Sequence, residues 1–163
     1  MAATATRADA IASAAHWFDA GGLLADLKRR VVVPTESQNP ERSETLTRYL
    51  SEEIAPSLER LGFRWTIWEN PIADAPPMLF AERIEDSTRP TVLVYGHGDV
   101  VLGYDDQWSD RRSPWELSVS EGRWYGRGTA DNKGQHSSPA AIIEPLCRRS
   151  VGISMLAALP WSP

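Results

Sequence analysis

Cysteine is almost absent, with Cys147 the one thiol in 163 residues. No disulfide can form within the chain, and the scarcity of thiols fits a reducing compartment, so the cytoplasm is the expected location. Long apolar runs are missing too. No window approaches a membrane span, and the alanine-rich residues 1–20 are broken by Arg7, Asp9, His16 and Asp19, so they lack the apolar core of a signal peptide. Excess positive charge is also lacking, with 17 basic against 22 acidic residues and a net charge of −5. Attraction to nucleic acid or to an anionic membrane is therefore not expected, while a small polar or cationic substrate stays open. There is no internal repeat, low-complexity tract or linker, and the length suits one domain burying about 70% of its unfolded surface.

What the chain does have is concentrated between residues 91 and 135. The run Thr91-Val92-Leu93-Val94-Tyr95, between Pro90 and Gly96, reads as a strand buried on both faces of a parallel sheet. Chemistry in such sheets sits at the carboxyl ends of the strands, where His97 and Asp99 stand. An imidazole is a common zinc ligand, and Asp99 two residues on can accept the other ring N–H and set the tautomer. Taken alone, the pair reads more readily as a polar strand end. The second segment, Gly126-Arg127-Gly128-Thr129-Ala130-Asp131-Asn132-Lys133-Gly134, adds glycines that allow tight turns around Asp131, a carboxylate able to offer both oxygens to two cations. A phosphate-binding reading fails, because Asp131 stands where a dinucleotide loop needs a third glycine and would repel phosphate.

The two segments in this order, with Trp108 and Pro114-Trp115-Glu116 between them, resemble the dinuclear zinc peptidase and deacylase family. Its members include carboxypeptidase G, acetylornithine deacetylase, succinyl-diaminopimelate desuccinylase, aminoacylase and dipeptidases. The resemblance covers roughly residues 23–137, the N-terminal part of the family's catalytic domain. It implies that His97 binds one metal, that Asp99 orients His97, and that Asp131 bridges two zinc ions, with cobalt or manganese also compatible with the ligands. It implies a cis peptide at Asp131-Asn132. It implies an α/β three-layer sandwich with a mixed, mostly parallel sheet, here incomplete and without the lid domain. The substrate class it implies is a peptide or an N-acyl amino acid.

Along the rest of the chain, Ile11, Ala15 and Phe18 recur at helical spacing, with Asp9 able to cap the start. His16 in this helix reads as a surface or packing residue. A second helix over residues 23–30 leads to a loop at residues 34–37, where Glu36 reads as a solvated carboxylate near the site. Residues 41–61 carry Leu46, Leu50, Ile54, Leu58 and Leu61 on one face of a long amphipathic helix, kinked or split by Pro56. Strands are expected over 63–68 and 78–81, with Trp65 and Trp68 packed. Residues 102–113 form an exposed loop anchored by Trp108 and Trp115, and 115–125 form a hairpin that delivers residues 126–131 to the site.

After Ser137 the resemblance stops. The family's next features are a long helix, a strand and a Glu-Glu pair that supplies the general base and a metal ligand, and no such pair follows Asp131 here. Residues 138–163 place Pro139 and Pro145 where a continuous helix is expected, and an interior proline costs a helix about 3 kcal/mol. The chain is thus divided into a zinc-peptidase-like part, 1–137, and an off-pattern tail, 138–163, with a reading frame altered near Ser138 as the expected cause and a natural short ending as the rival. His136 is expected at a helix start rather than on a metal.

Ligand counting separates two readings. Two zinc ions sharing one bridging Asp still need four more protein ligands; His97 and Asp131 are two residues of that set, and downstream of Asp131 the only His, Asp or Glu are His136 and Glu144. The first reading is a metal-dependent amide or peptide hydrolase, expected to be inactive as this chain because the general base is absent. The second is a non-catalytic fragment that binds metal weakly, associates with another chain, or aggregates through exposed sheet edges.

Overall fold

A computed structural model describes residues 6–73, 75–84, 87–88 and 90–137, and the backbone of 152–157. The expectations for Glu144, Cys147 and the two tail prolines lie outside these residues. Helix α1, Arg7–Asp19, begins with a capping box: the Thr6 hydroxyl accepts from the Asp9 N–H, and the Asp9 carboxylate accepts from the Thr6 N–H. Asp9 is thus the reciprocal partner of the cap rather than the cap itself. Helix α2, Gly22–Val31, buries Leu27 and Val31 against Leu117, with Leu23, Leu24 and Trp124 packed around them. Gly22 is where the Trp17 indole crosses, leaving no room for a side chain.

The long amphipathic stretch is helical from Pro40 to Arg60 but not uniform. A 3₁₀ turn, Pro40–Arg42, leads into α3, Ser43–Arg48, then a π-helical segment, Tyr49–Ile54, then α4, Ala55–Arg60. Pro56 has no N–H to donate and its ring crowds the carbonyl four residues back, and the wider π turn before it relieves both demands. The apolar face keeps its register through the change. Leu46, Leu50, Ile54 and Leu58 are all buried with Phe63, Leu79 and Ala81 in the main core.

Strands β1 (Arg64–Trp68), β2 (Met78–Arg83), β3 (Thr91–Gly96) and β6 (Gly152–Ala157) form one sheet in the order β1-β2-β6-β3; β4 (Ser118–Ser120) and β5 (Arg123–Tyr125) form a hairpin. Its turn residues Glu121 and Gly122 both have positive φ, 50° and 73°, which suits the twist of a two-residue hairpin. The four-stranded sheet is mixed, as expected, but not mostly parallel. β1–β2 and β2–β6 are antiparallel and only β3–β6 is parallel. The short connection over residues 69–77 is a hairpin link, which enforces antiparallel pairing, whereas a parallel pair needs a crossover.

A second correction concerns β3. It lies at the sheet edge, and Val92, Leu93 and Tyr95 are 48%, 66% and 55% exposed instead of buried on both faces. Leu93 and Tyr95 point away from the helices, since side chains alternate and Val94 packs on the main core. Trp68, on that same second face, is 58% exposed rather than packed. The described residues thus supply two layers, helices against one face of the sheet. β6, from the residues after 137, lies between β2 and β3, a strand that sequence reading did not assign.

Candidate metal centre

β3 ends at Gly96, where a Cβ would meet the Cβ of His136 at 2.6 Å and Asn132 Oδ1 at 3.3 Å. Only glycine lets the strand end pass this close to the residues after Asp131. His97 follows at once. Its ring Nδ1 lies 3.0 Å from Asp99 Oδ1 and 3.3 Å from the Asp99 carbonyl, and its Nε2 lies 3.0 Å from Asp131 Oδ1. Both neighbours are carboxylates, which only accept, so either ring nitrogen can donate to its own; with Nδ1 donating to Asp99, Nε2 turns a lone pair toward Asp131. Two such lone pairs repel each other unless a proton or a cation stands between them. Imidazole nitrogen beside carboxylate oxygen is a donor set that suits zinc, and the Asp99–His97 hydrogen bond is the support such an imidazole ordinarily has.

Asp131 is presented by a tight loop. Thr129 N–H and its hydroxyl both donate to the Gly126 carbonyl, at 3.2 and 2.9 Å, and Arg127 N–H donates to the Pro114 carbonyl at 2.7 Å. Gly128 has φ 84°, and the Asp131–Asn132 peptide is cis, as the resemblance implied. The Asp131 side chain is 82% exposed, so its free oxygen faces solvent. His97, Asp99 and Asp131 are therefore together, with Asp99 behind His97 and Asp131 in front. Among the described residues, no group of three or more His, Cys, Asp or Glu side chains is arranged to hold a metal ion. The residues present fit one edge of a metal's shell.

Beneath this pair lies a buried polar layer that sequence reading missed. Lys133 is fully buried and its Nζ donates to the carbonyls of Arg30 (2.9 Å) and Val33 (2.7 Å), over the face of Tyr49. Burial pushes its pKa down to about 7, against the pull of Asp99 in the other direction. His136 stands in the first turn of the helical residues 133–137, as expected, and is buried there, with Nδ1 3.0 Å from the His97 carbonyl and Nε2 2.8 Å from the Tyr49 hydroxyl. Burial, with Arg30 nearby, pushes its pKa down to about 3, so the ring is neutral. A carbonyl can only accept, so the proton is on Nδ1 and Tyr49 donates to Nε2. Burial likewise pushes the Tyr49 phenol up. No spacing rule points to His136, because its partner is a backbone carbonyl distant in sequence.

The loop at 34–37 does run beside the site. Val100 N–H donates to the Thr35 carbonyl at 2.8 Å and the Thr35 hydroxyl to the Gly98 carbonyl at 2.6 Å. Glu36 is buried instead of solvated: Oε1 accepts from Gly103 N–H at 2.7 Å, and Oε2 faces Arg42 at 3.5 Å. Trp108 anchors the neighbouring loop as expected, its Nε1 donating to the Gly103 carbonyl at 2.8 Å, and Trp115 packs against Gly103. His16 lies on an exposed face of α1, away from the site.

Comparison with known proteins gives this geometry a setting. Residues 93–156 match the family described as peptidase family M20/M25/M40. The Beta-Ala-His dipeptidase of Homo sapiens is 33% identical over 119 residues, which cover 66% of this chain and 23% of that protein. The Cysteinylglycine-S-conjugate dipeptidase of Corynebacterium striatum is 34% identical over 96 residues, 58% of this chain and 20% of that one. The crystal structure of human carnosine dipeptidase 1 superposes with a TM-score of 0.74 at 27% identity, covering 87% of this chain and 33% of that one. The chain spans about a fifth of the length of these curated relatives.

Proposed function

Taking as premise that the chain carries part of a catalytic domain of peptidase family M20/M25/M40, we propose that it contributes to metal-dependent hydrolysis of a peptide bond in a dipeptide or a related N-acyl amino acid. The observation that carries this is His97, held by Asp99 on one ring nitrogen and facing Asp131 with the other. His97 and Asp131 would hold the metal, the Asp131 carboxylate serving as the bridge if two ions bind, and zinc is the first choice with cobalt or manganese as alternatives. Such a metal supplies a Lewis acid for the scissile carbonyl and lowers the pKa of a bound water. Asp99 fixes the ring so that Nε2 is always the ligating atom. The dipeptidase names of the relatives favour a dipeptide over an N-acyl amino acid.

The fold is read as the three-layer sandwich of that family, in which further residues cover the second sheet face that bears Leu93 and Tyr95. A cytoplasmic setting rests on the single cysteine. On this reading the 163 residues alone bind metal but do not turn over, because among the described residues no further acid or histidine joins the pair to act as ligand or base. The same observation favours a second reading, a non-catalytic piece that associates with another chain through its open sheet face.

Zinc titration followed by dipeptide and N-acyl amino acid hydrolysis tests both. The proposal expects zinc binding that the His97→Ala variant loses, with hydrolysis by these residues alone no faster than by that variant. Equal zinc binding by the two proteins would overturn the assignment of His97. Light scattering that shows a compact monomer would count against association.

A further inference from the structure

The backbone of His97 is gripped from both sides by the residues that follow Asp131. Its N–H donates to Asn132 Oδ1 at 3.2 Å, and its carbonyl accepts from His136 Nδ1 at 3.0 Å. Asn132 Oδ1 is aimed by its own amide nitrogen, which donates to Gln135 Oε1. The His136 ring is aimed by Tyr49, whose hydroxyl lies 2.8 Å from Nε2, and by its own N–H, which donates to the Asn132 carbonyl at 3.0 Å. With the ring contacts to Asp99 and Asp131, every polar atom of His97 is engaged, and three of the four partners, Asp131, Asn132 and His136, come from one short segment. Gly96 completes the fit by leaving no side chain between β3 and His136.

A carbonyl held only by water would leave the His97 peptide free to rotate, and a small rotation there displaces the ring at the end of its side chain. A buried N–H donor aimed by a second buried hydroxyl removes that freedom. We propose that His136 is a positioning residue for the metal centre, acting through the His97 carbonyl, with Asn132 as the opposing jaw, so that His97 and Asp131 are held at one spacing before any metal arrives. The proposal rests on the metal-centre reading given above.

Two isosteric substitutions split the His136 ring in half. In His136→Asn the amide nitrogen falls where Nδ1 was and can still donate to the His97 carbonyl, while the Tyr49 partner is lost. In His136→Gln the amide oxygen falls where Nε2 was and still accepts from Tyr49, while the His97 contact is lost. A merely structural histidine predicts that the two variants, each short of one buried hydrogen bond, behave alike.

The experiment is zinc titration of the full chain and both variants, with ring ¹⁵N spectra recorded without metal. The expected result is zinc affinity in His136→Asn within a few-fold of the wild type and a loss of about 10- to 100-fold in His136→Gln, the range for a group that supports a metal ligand. Equal affinities, or equal losses, in the two variants would overturn the proposal. If the wild type holds no zinc, the metal-centre reading fails but positioning is still decided, because the His97 ring signals must match the wild type in His136→Asn and shift in His136→Gln. Should His136→Gln not fold, the wild-type spectrum suffices: His136 protonated on Nδ1 supports the proposal, and protonation on Nε2 overturns it.

Discussion

The Lys133 ammonium lies 2.7 Å from the carbonyl oxygen of Val33, joining positions one hundred residues apart in the chain. Its second acceptor is the Arg30 carbonyl, so the helical turn after Asp131 is fastened to the end of α2 at two points. Lys133→Met fills similar space but removes two charge-assisted hydrogen bonds, each worth about 1.5–3 kcal/mol, while the Arg30 and Val33 carbonyls keep the N–H groups of Val33 and Thr35 as donors. Release of the buried charge returns part of this, and the net expectation is a loss of about 2–4 kcal/mol in urea unfolding. A midpoint unchanged within error would show that water replaces the ammonium.

Two glycines with positive φ offer an internal comparison. At Gly122, φ 73°, a Cβ would meet nothing within 4 Å; at Gly128, φ 84°, it would meet Val100 Cγ1 at 2.8 Å and Lys133 Cδ at 3.1 Å. Gly122→Ala should cost about 1 kcal/mol of backbone strain alone. Gly128→Ala should cost about 2–4 kcal/mol, with overpacking added to the strain. Thermal or urea unfolding of the two variants side by side checks the order, and equal losses would mean that Val100 and Lys133 yield freely.

Glu36→Ala should unfasten the loop after Val101. It leaves the Gly103 N–H without its 2.7 Å acceptor, for about 1–3 kcal/mol, and Gly103 is also the residue whose carbonyl takes the Trp108 indole N–H. A red-shifted tryptophan emission is expected together with the lower stability. Glu36→Gln, which keeps an accepting oxygen, should show less of both.

Asp99→Ala should weaken zinc binding about 10- to 100-fold while leaving the fold intact. The Asp99 carboxylate orients the His97 ring from a buried position, and calorimetric titration of wild type and variant reads the difference directly. Unchanged affinity would mean that the Asp99 carbonyl, 3.3 Å from the same nitrogen, orients the ring on its own.

Much of the fold could be read from residues whose role is local. The alternation of Arg64–Trp68 and the apolar run of Thr91–Gly96 mark strands, the Glu121-Gly122 turn marks the hairpin, and the leucine spacing of residues 46–58 marks a helix face. The approach of His97, Asp99 and Asp131 followed from the family resemblance that the two motifs carry. What escaped depends on partners distant in sequence. The exposure of Leu93 reflects what covers β3, not its own composition, and a strand buried on both faces looks the same in sequence as an uncovered edge. Glu36 reads as solvated, and nothing local marks Lys133 or His136 as buried, until their acceptors and donors are seen. The π-helical segment before Pro56 leaves the leucine register untouched, so nothing in the apolar pattern announces it.

The position of β6 has a consequence for synthesis. The sheet runs β1-β2-β6-β3, so the strand between β2 and β3 is the last of the described strands to leave the ribosome. While residues 97–151 are being translated, the nascent chain carries a finished β1–β2 hairpin and a separate β3, each with an unpaired edge and no neighbour to close it. Such edges recruit any extended segment within reach. A chaperone that shields strand edges during translation should therefore raise the yield of folded protein more than one added after release.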